Sequence, residues 1–314
     1  MKRRTFIYTI SLGLATSPLL AQKAKKDIPE KLNITKVEIK AGAKKPLKFL
    51  HVTDSHVITW DKRSPNQEDI YKKRIKVFFR SRKRWDMTLA YAKENNLPIL
   101  NTGDVFDFTT PASIEFLKNE VMPNSCIYAV GNHEFSRYCG SQKEVEHDAE
   151  TVNAMQSAVN YDIGFSSHII EGVNFIAIDN VVYQFNQSQL EKLEAEIKKG
   201  LPIIAMFHIP IYSEKFFNYL FKINTSNPRR PRKCTSLIGL PDDKVAMCDQ
   251  RMMRRQKPNE ITKKVVELLS TNKLIKGIIC GHVHKNITDT LPNGAVITCS
   301  EGGYKGWAQE ITIS

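Results

Sequence analysis

The sequence lacks a long apolar run, an internal repeat and a low-complexity tract, and acidic residues are in short supply. Its most apolar stretch, from Phe6 to about Ala21, is interrupted by Thr9, Ser11, Gly13, Thr16, Ser17 and Pro18, and is too short and too polar for a comfortable membrane-spanning helix. The missing repeat excludes a solenoid or propeller. Six cysteines occur in 314 residues, none at a position where a metal ligand is expected, which argues against a structural zinc knot or an iron–sulfur cluster. The shortage of acid leaves a formal charge of +13, and such a surface favours anionic partners, including nucleic acid, lipid head groups and phosphorylated glycans. A hydrophobic content of 41% suffices for a sizeable core.

What the chain does have is five short blocks rich in metal-binding side chains. They are Asp54-Ser55-His56, Gly103-Asp104-Val105-Phe106-Asp107, Gly131-Asn132-His133-Glu134, His208-Ile209-Pro210 and Gly281-His282-Val283-His284. Each follows an apolar run: Phe49 to Val52, Ile99-Leu100, Ile127 to Val130, Ile203 to Phe207, and Ile275 to Cys280. Short runs of this kind read as strands buried on both faces, and α/β sheets place their working groups beyond the strand carboxyl ends. All five blocks are therefore expected on one rim. Gly103, Gly131 and Gly281 stand where a strand turns and lets backbone approach closely.

The donors are two carboxylates (Asp54, Asp104), one amide (Asn132) and four imidazoles (His56, His208, His282, His284). This mixed oxygen and nitrogen set suits borderline or hard divalent cations such as manganese, iron or zinc. Seven donors exceed the needs of one ion. Two ions sharing a carboxylate, assigned here to Asp104, would use them at the roughly 3.5–4 Å separation of two-metal hydrolases.

The order of the blocks resembles the calcineurin-like metallophosphoesterase superfamily, whose motifs read D-x-H, G-D-x-x-D, G-N-H-[DE], H and G-H-x-H. The resemblance runs from about Lys48 to about His284. It implies that Asp54, His56, Asp104 and His284 hold one ion and that Asp104, Asn132, His208 and His282 hold the other. It makes His133 a proton donor to the leaving oxygen, oriented by Asp107 rather than Glu134. It also implies an α/β fold, a four-layer α/β/β/α sandwich of two packed mixed sheets with the site at the carboxyl ends of the core strands. The implied reaction is hydrolysis of a phosphomonoester or phosphodiester by a water that the ions acidify. Purple acid phosphatases carry tyrosine where this chain has Asp107, so a tyrosinate–iron centre is not expected. Protein serine/threonine phosphatases of the calcineurin type follow that aspartate with arginine, and here Phe108 follows.

Along the chain, Lys2-Arg3-Arg4 before the apolar stretch reads as an export signal over residues 1–21, of twin-arginine type, placing the protein in the periplasm or outside the cell. Its removal would lower the charge to +10, since only those three charged residues leave with it. Residues 22–45 read as a basic linker with an edge strand at Val37 to Ile39, and residues 46–314 as the catalytic domain. Tyr71, Ile75, Phe78, Trp85, Leu89 and Ala92 mark a helical face. The basic residues between them read as a solvated face or as an anion-binding rim. Arg137 suits either a phosphate contact or a surface ion pair. Glu144 to Val159 reads as a helix and Ile169 to Ile178 as a hairpin about Glu171-Gly172. Ser188 to Glu191 matches a helix capping box. Residues 213–257 form a basic insertion, read as a collar for a polyanionic substrate, with Arg229, Arg230 and Arg232 at its centre. A hairpin about Pro292-Asn293-Gly294 and a strand from Glu310 to Ile313, expected to edge the second sheet, end the chain.

Three histidines fall outside the blocks: His51 reads as a hydrogen-bonded core residue, and His147 and His168 have no assigned role. Cys126 and Cys280 read as core thiols, and Cys234 with Cys248 as a disulfide in an oxidising compartment. The substrate is then a phosphorylated anion, whether a small molecule, a lipid-linked phosphate or a glycan phosphate. The alternatives are a nuclease using the same ions and a catalytically inactive anion-binding protein.

Overall fold

The computed structural model describes residues 31–137, 148–228 and 231–314, with Leu32–Ser314 forming one compact unit. The export signal, the first part of the linker, Tyr138, Cys139, His147, Arg229 and Arg230 lie outside the described residues. Eleven strands are found among those described: β1 Asn33–Ile39, β2 Leu47–Val52, β3 Ile99–Asn101, β4 Ser125–Tyr128, β5 Phe165–Ile170, β6 Val173–Ile178, β7 Ile203–Met206, β8 Ile275–Cys280, β9 Ile287–Thr290, β10 Val296–Cys299 and β11 Trp307–Ile313. They form a five-stranded sheet of order β1-β11-β2-β3-β4 and a six-stranded sheet of order β5-β6-β7-β8-β10-β9. Both are mixed. In the first, only the β11/β2 pair is antiparallel. In the second, the antiparallel pairs are the outer ones, β5/β6 and β10/β9.

Side-chain alternation explains how the sheets stack. Successive residues of a strand point to opposite faces, and here both faces are apolar. Phe49, Ile204, Met206, Phe175, Ile279 and Ile311 turn inward and pack between the sheets, where the rings of Phe49 and Phe175 meet edge to face at 5.4 Å. Leu50, Val52, Ile99 and Tyr128 turn outward under the helical layer that contributes Trp85, Ala92 and Phe116. On the other side Ile203, Ala205 and Ile278 pack beneath Leu193, Phe216, Val265 and Leu269. The result is the expected four-layer α/β/β/α sandwich. The five apolar runs that precede the blocks are β2, β3, β4, β7 and β8, so all five blocks leave strand carboxyl ends.

Several local expectations are corrected. The last strand does not edge the second sheet. Spanning Trp307–Ile313, it lies inside the first, between β1 and β2, where Ala308 is covered on one face and Ile311 and Ile313 on the other. The helical face from Tyr71 to Ala92 is broken into helices Glu68–Val77 and Ser81–Glu94, with Arg80 between them in the left-handed region at φ 67°. The capping box sits two residues earlier than Ser188: Asn186 accepts from the Gln189 N–H, and the Gln189 side chain accepts from the Asn186 N–H. Cys126 lies on β4 but is exposed, and Cys234 and Cys248 are free, buried thiols rather than a bridge. Cys248 Sγ donates to the Lys244 carbonyl at 3.6 Å.

Residues 213–257 are not a loop standing in solvent. They fold into helices Glu214–Thr225, Asp242–Met247 and Gln250–Gln256, and Phe216, Phe217, Leu220, Leu237 and Ile238 are buried in the core beside the six-stranded sheet. Phe216, Phe217 and Leu220 follow the i, i+1, i+4 spacing of one helix face. Among the described residues no helix is long and apolar enough to cross a membrane.

Candidate metal centre

The loops after β2, β3 and β4 are stitched together by backbone. The Asp54 N–H donates to the Gly103 carbonyl and the His56 N–H to the Asp104 carbonyl, each at 2.9 Å. This interleaving needs glycine: a Cβ on Gly103, whose φ is +87°, would collide with the backbone of Gly131, and one on Gly131 would collide with Asp104. Glu134, fully buried, completes the knot by accepting from the N–H groups of Asp104, Val105 and Gly131 at 2.9, 2.7 and 2.8 Å.

Both carboxylates are held by one oxygen and present the other. Asp54 Oδ2 accepts from the Thr53 hydroxyl and the His282 N–H, both at 2.9 Å. Its Oδ1 is buried without an acceptable hydrogen bond, although His284 Nε2 lies 2.9 Å away. Asp104 Oδ1 accepts from the His133 N–H at 2.8 Å, and its Oδ2 faces His208 Nε2 at 3.1 Å, His56 Nε2 at 3.8 Å and His133 Nε2 at 3.9 Å. Asn132 Oδ1 is likewise buried with no partner.

The imidazoles are oriented from behind. His208 Nδ1 lies 2.7 Å from the Thr102 carbonyl, an acceptor only, so Nδ1 carries a hydrogen and Nε2 is turned into the site toward Asp104. His56 Nδ1 lies 3.1 Å from Asp107 Oδ1, which fixes the same tautomer. His282 turns the other way, with Nε2 on the Tyr183 hydroxyl at 2.8 Å and Nδ1 into the site. The inward nitrogens then confront one another, His56 Nε2 to His284 Nε2 at 3.3 Å and His208 Nε2 to His282 Nδ1 at 3.2 Å.

Imidazole nitrogens crowded against one another and against two buried carboxylates, with a buried amide oxygen that has no hydrogen bond, fit a site shaped for cations. The donors fall into three overlapping groups, Asp54–His56–His284, His56–Asp104–His133 and Asp104–His208–His282, the ligand atoms of each lying within 4.8 Å of one another. Backbone strain marks the same residues. Of ten non-glycine residues with positive φ among those described, five are Asp54, His56, Asp104, His282 and His284, a cost that persists where surrounding structure over-determines it.

Six of the seven expected ligands, Asp54, His56, Asp104, His208, His282 and His284, are brought together in these groups, and Asn132 precedes His133, whose N–H is bound to Asp104; Asp107 lies beside His56 and His133. Asp107 is buried under three basic groups. Arg74 grips it with Nε at 2.5 Å and a terminal nitrogen at 2.7 Å, while His56 and His133 Nδ1 lie 3.1 and 3.2 Å from its Oδ1. Burial alone would raise this carboxyl, but Arg74, His133 and His56 hold it well below the usual carboxylate range. Burial pushes Glu134 up to about 7, with Asp104 adding to the shift and His208 and backbone N–H groups opposing it. Glu134 thus serves the loop knot.

Four neighbours of the site carry no mark in the sequence. Arg74 stands there as one charge in a basic run, and nothing local distinguishes it. Phe78, Tyr183 and Tyr304 surround the imidazoles: Phe78 is stacked on His56 at 4.3 Å, and Tyr304 stands edge-on to His56 and His284 at 5.6 and 5.2 Å. Arg137 is an ion-pair residue, bound to Asp148 and Glu150 at 2.8 and 2.9 Å. His51 is the hydrogen-bonded core residue expected, 3.0 Å from Gln309 Oε1 and 2.8 Å from Thr102 Oγ1.

Residues 47–286 match the family model described as calcineurin-like phosphoesterase. Among solved structures the chain is similar to a dimetal phosphatase from Danio rerio, at 11% identity and a TM-score of 0.48, over 82% of this chain and 88% of that one. It is also similar to the phosphopantetheinyl hydrolase of Mycobacterium tuberculosis, at 10% identity and a TM-score of 0.40, over 84% and 95% of the two chains. A purple acid phosphatase from yellow lupin matches at 12% identity and a TM-score of 0.41, over 82% of this chain and 44% of that one. Among curated proteins none matches.

Proposed function

From the premise that the chain belongs to the calcineurin-like phosphoesterase family and is a metal-dependent phosphoric ester hydrolase acting on a phosphorylated substrate, we propose that it works with two divalent cations and is exported. Asp54, His56, Asp104 and His284 would hold one cation, and Asp104, Asn132, His208 and His282 the other. The observation that carries this reading is the convergence of the Asp54 and Asp104 carboxylates with imidazole nitrogens that face each other, next to a buried Asn132 Oδ1 that has no hydrogen bond. When bound, such cations supply Lewis acidity at a phosphoryl oxygen and a water acidic enough to attack phosphorus near neutral pH.

The chain's own residues do the rest. His133 Nδ1 lies 2.6 Å from the Asp107 carbonyl oxygen, so it donates there and leaves Nε2 as the atom that can carry a proton to the departing alkoxide. His133 is 21% exposed against 2% or less for Asp104 and His56, so it alone of the three can meet an incoming leaving group. Asp107, held anionic by Arg74, stabilises the protonated form of His133 and the orientation of His56. The basic amino-terminal segment supports export, and a mature protein still beginning at Met1 would contradict cleavage.

The test combines elemental analysis with hydrolysis of nitrophenyl phosphate, bis-nitrophenyl phosphate and DNA in the presence of manganese. Turnover of a small phosphoester with a metal-loaded protein is expected. Turnover of DNA alone would select the nuclease reading, and no turnover by a loaded protein would leave an anion-binding protein.

A further inference from the structure

The helix Glu68–Val77 and the turn after it carry a surface that the metal centre does not explain. Their inward stripe is Ile70, Tyr71, Arg74 and Phe78, of which Arg74 grips Asp107 and Phe78 lies flat on His56. The other residues from Lys72 to Arg80 face solvent, and no side chain within the helix is buried. Ile75, Val77 and Phe79 are 38%, 59% and 54% exposed, so three of the seven exposed large hydrophobic residues among those described fall within five positions. Ile75 and Val77, two apart on the helix, do not share a face, but Val77 and Phe79 stand exposed on either side of buried Phe78 where the helix ends, and apolar side chains exposed together mark a surface that is covered in use.

Basic side chains are threaded through the same cluster. Lys73, Lys76, Arg80 and Lys83 form no ion pair among the described residues, and the Arg80 guanidinium lies over the Phe79 ring at 5.0 Å. The combination selects among occupants. A nucleic acid would engage the cations and stack on an aromatic ring, but would make no use of exposed Ile75 and Val77. An anionic bilayer uses both kinds of side chain, with aliphatic and aromatic groups entering the boundary between head groups and acyl chains and cations meeting the negative surface.

We propose that residues 72–83 dock the protein on an anionic lipid bilayer. The inward side of the same helix is a wall of the metal centre, so docking brings that rim to phosphate groups at the membrane surface. This last step rests on the phosphoesterase reading; the docking itself does not.

The experiment is co-sedimentation of the full chain with phosphatidylcholine vesicles, with and without phosphatidylglycerol. It compares wild type with the variants Val77→Ser/Phe79→Ser and Lys73→Glu/Lys76→Glu/Arg80→Glu. Each variant is expected to bind the anionic vesicles about tenfold more weakly or worse, with hydrolysis of bis-nitrophenyl phosphate in solution unchanged. A second readout places the contact: emission from Phe79→Trp should be quenched by anionic vesicles with brominated acyl chains, beyond the quenching of wild type. Undiminished binding by both variants, or emission of Phe79→Trp untouched by brominated lipid, would overturn the proposal. So would variants that lose affinity for DNA while keeping affinity for vesicles. If the vesicle results come out as expected while wild type hydrolyses no phosphoester, the enzymatic reading falls and the docking surface stands.

Discussion

The two sheets contribute unlike halves to the centre. Loops of the five-stranded sheet bring Asp54, His56, Asp104 and Asn132, with His133 beside them, whereas loops of the six-stranded sheet bring only imidazoles, His208, His282 and His284. All the carboxylate charge lies on one side, and that side is the one bound up by Glu134, Gly103 and Gly131. The imidazole side is joined to it by the His282 N–H on Asp54 and within itself by the Gly281 N–H on the His208 carbonyl, both at 2.9 Å, and its rings are oriented one partner at a time. His208 leans on the Thr102 carbonyl of the opposite half, and His282 leans on Tyr183. The contrast teaches that the acidic half is built into the fold, so that cations complete a structure already organised around negative charge, while the imidazole half tunes how tightly they are held.

That contrast can be broken or sharpened by substitution. The largest effect is expected from Asp104→Asn, which removes the shared charge: metal content should fall to background and kcat/KM by on the order of a thousandfold, and full turnover would defeat the assignment. Glu134→Ala should act on the fold rather than the chemistry. Orphaning three buried N–H groups should cost about 3 kcal/mol in denaturant unfolding, and an unchanged midpoint would refute the loop knot. Arg74→Met frees Asp107 and with it His56 and His133. Activity should drop by roughly ten- to a hundredfold, with a loss of stability because a buried carboxylate loses its guanidinium, and a wild-type rate would show that Asp107 holds its place without Arg74. The smallest effect belongs to the imidazole half, where Tyr183→Phe should weaken metal binding by about tenfold at most. A larger loss there than for Arg74→Met would invert the comparison.

Much of this is legible in the sequence, and for a definite reason. A ligand that follows a doubly buried strand announces itself by composition, because an Asp, Asn or His at the buried end of a short apolar run costs stability unless it gains a partner there. The packing of two sheets follows from the same runs. What stays hidden depends on contacts between distant segments. Arg74 reads like Lys72 or Lys76 until Asp107 is placed beside it, and Tyr183 has no local mark. The final strand is recognisable as a strand, yet apolar alternation says only that it is covered, not that β1 and β2 are its neighbours. In the segment from Ser213 to Lys257, positive charge draws attention away from Phe216, Phe217 and Leu220, whose spacing encodes a packed helix. Asn186 and Ser188 both begin acceptable capping patterns, and the hydrogen bonds of Gln189 decide between them.

The central claim is that one chain holds two cations through the seven donors, with Asp104 common to both. Anomalous scattering from crystals grown with manganese tests it most directly. Two peaks are expected, one among Asp54, His56 and His284 and the other among Asn132, His208 and His282, with Asp104 between them. A single peak, or peaks away from these side chains, would contradict it.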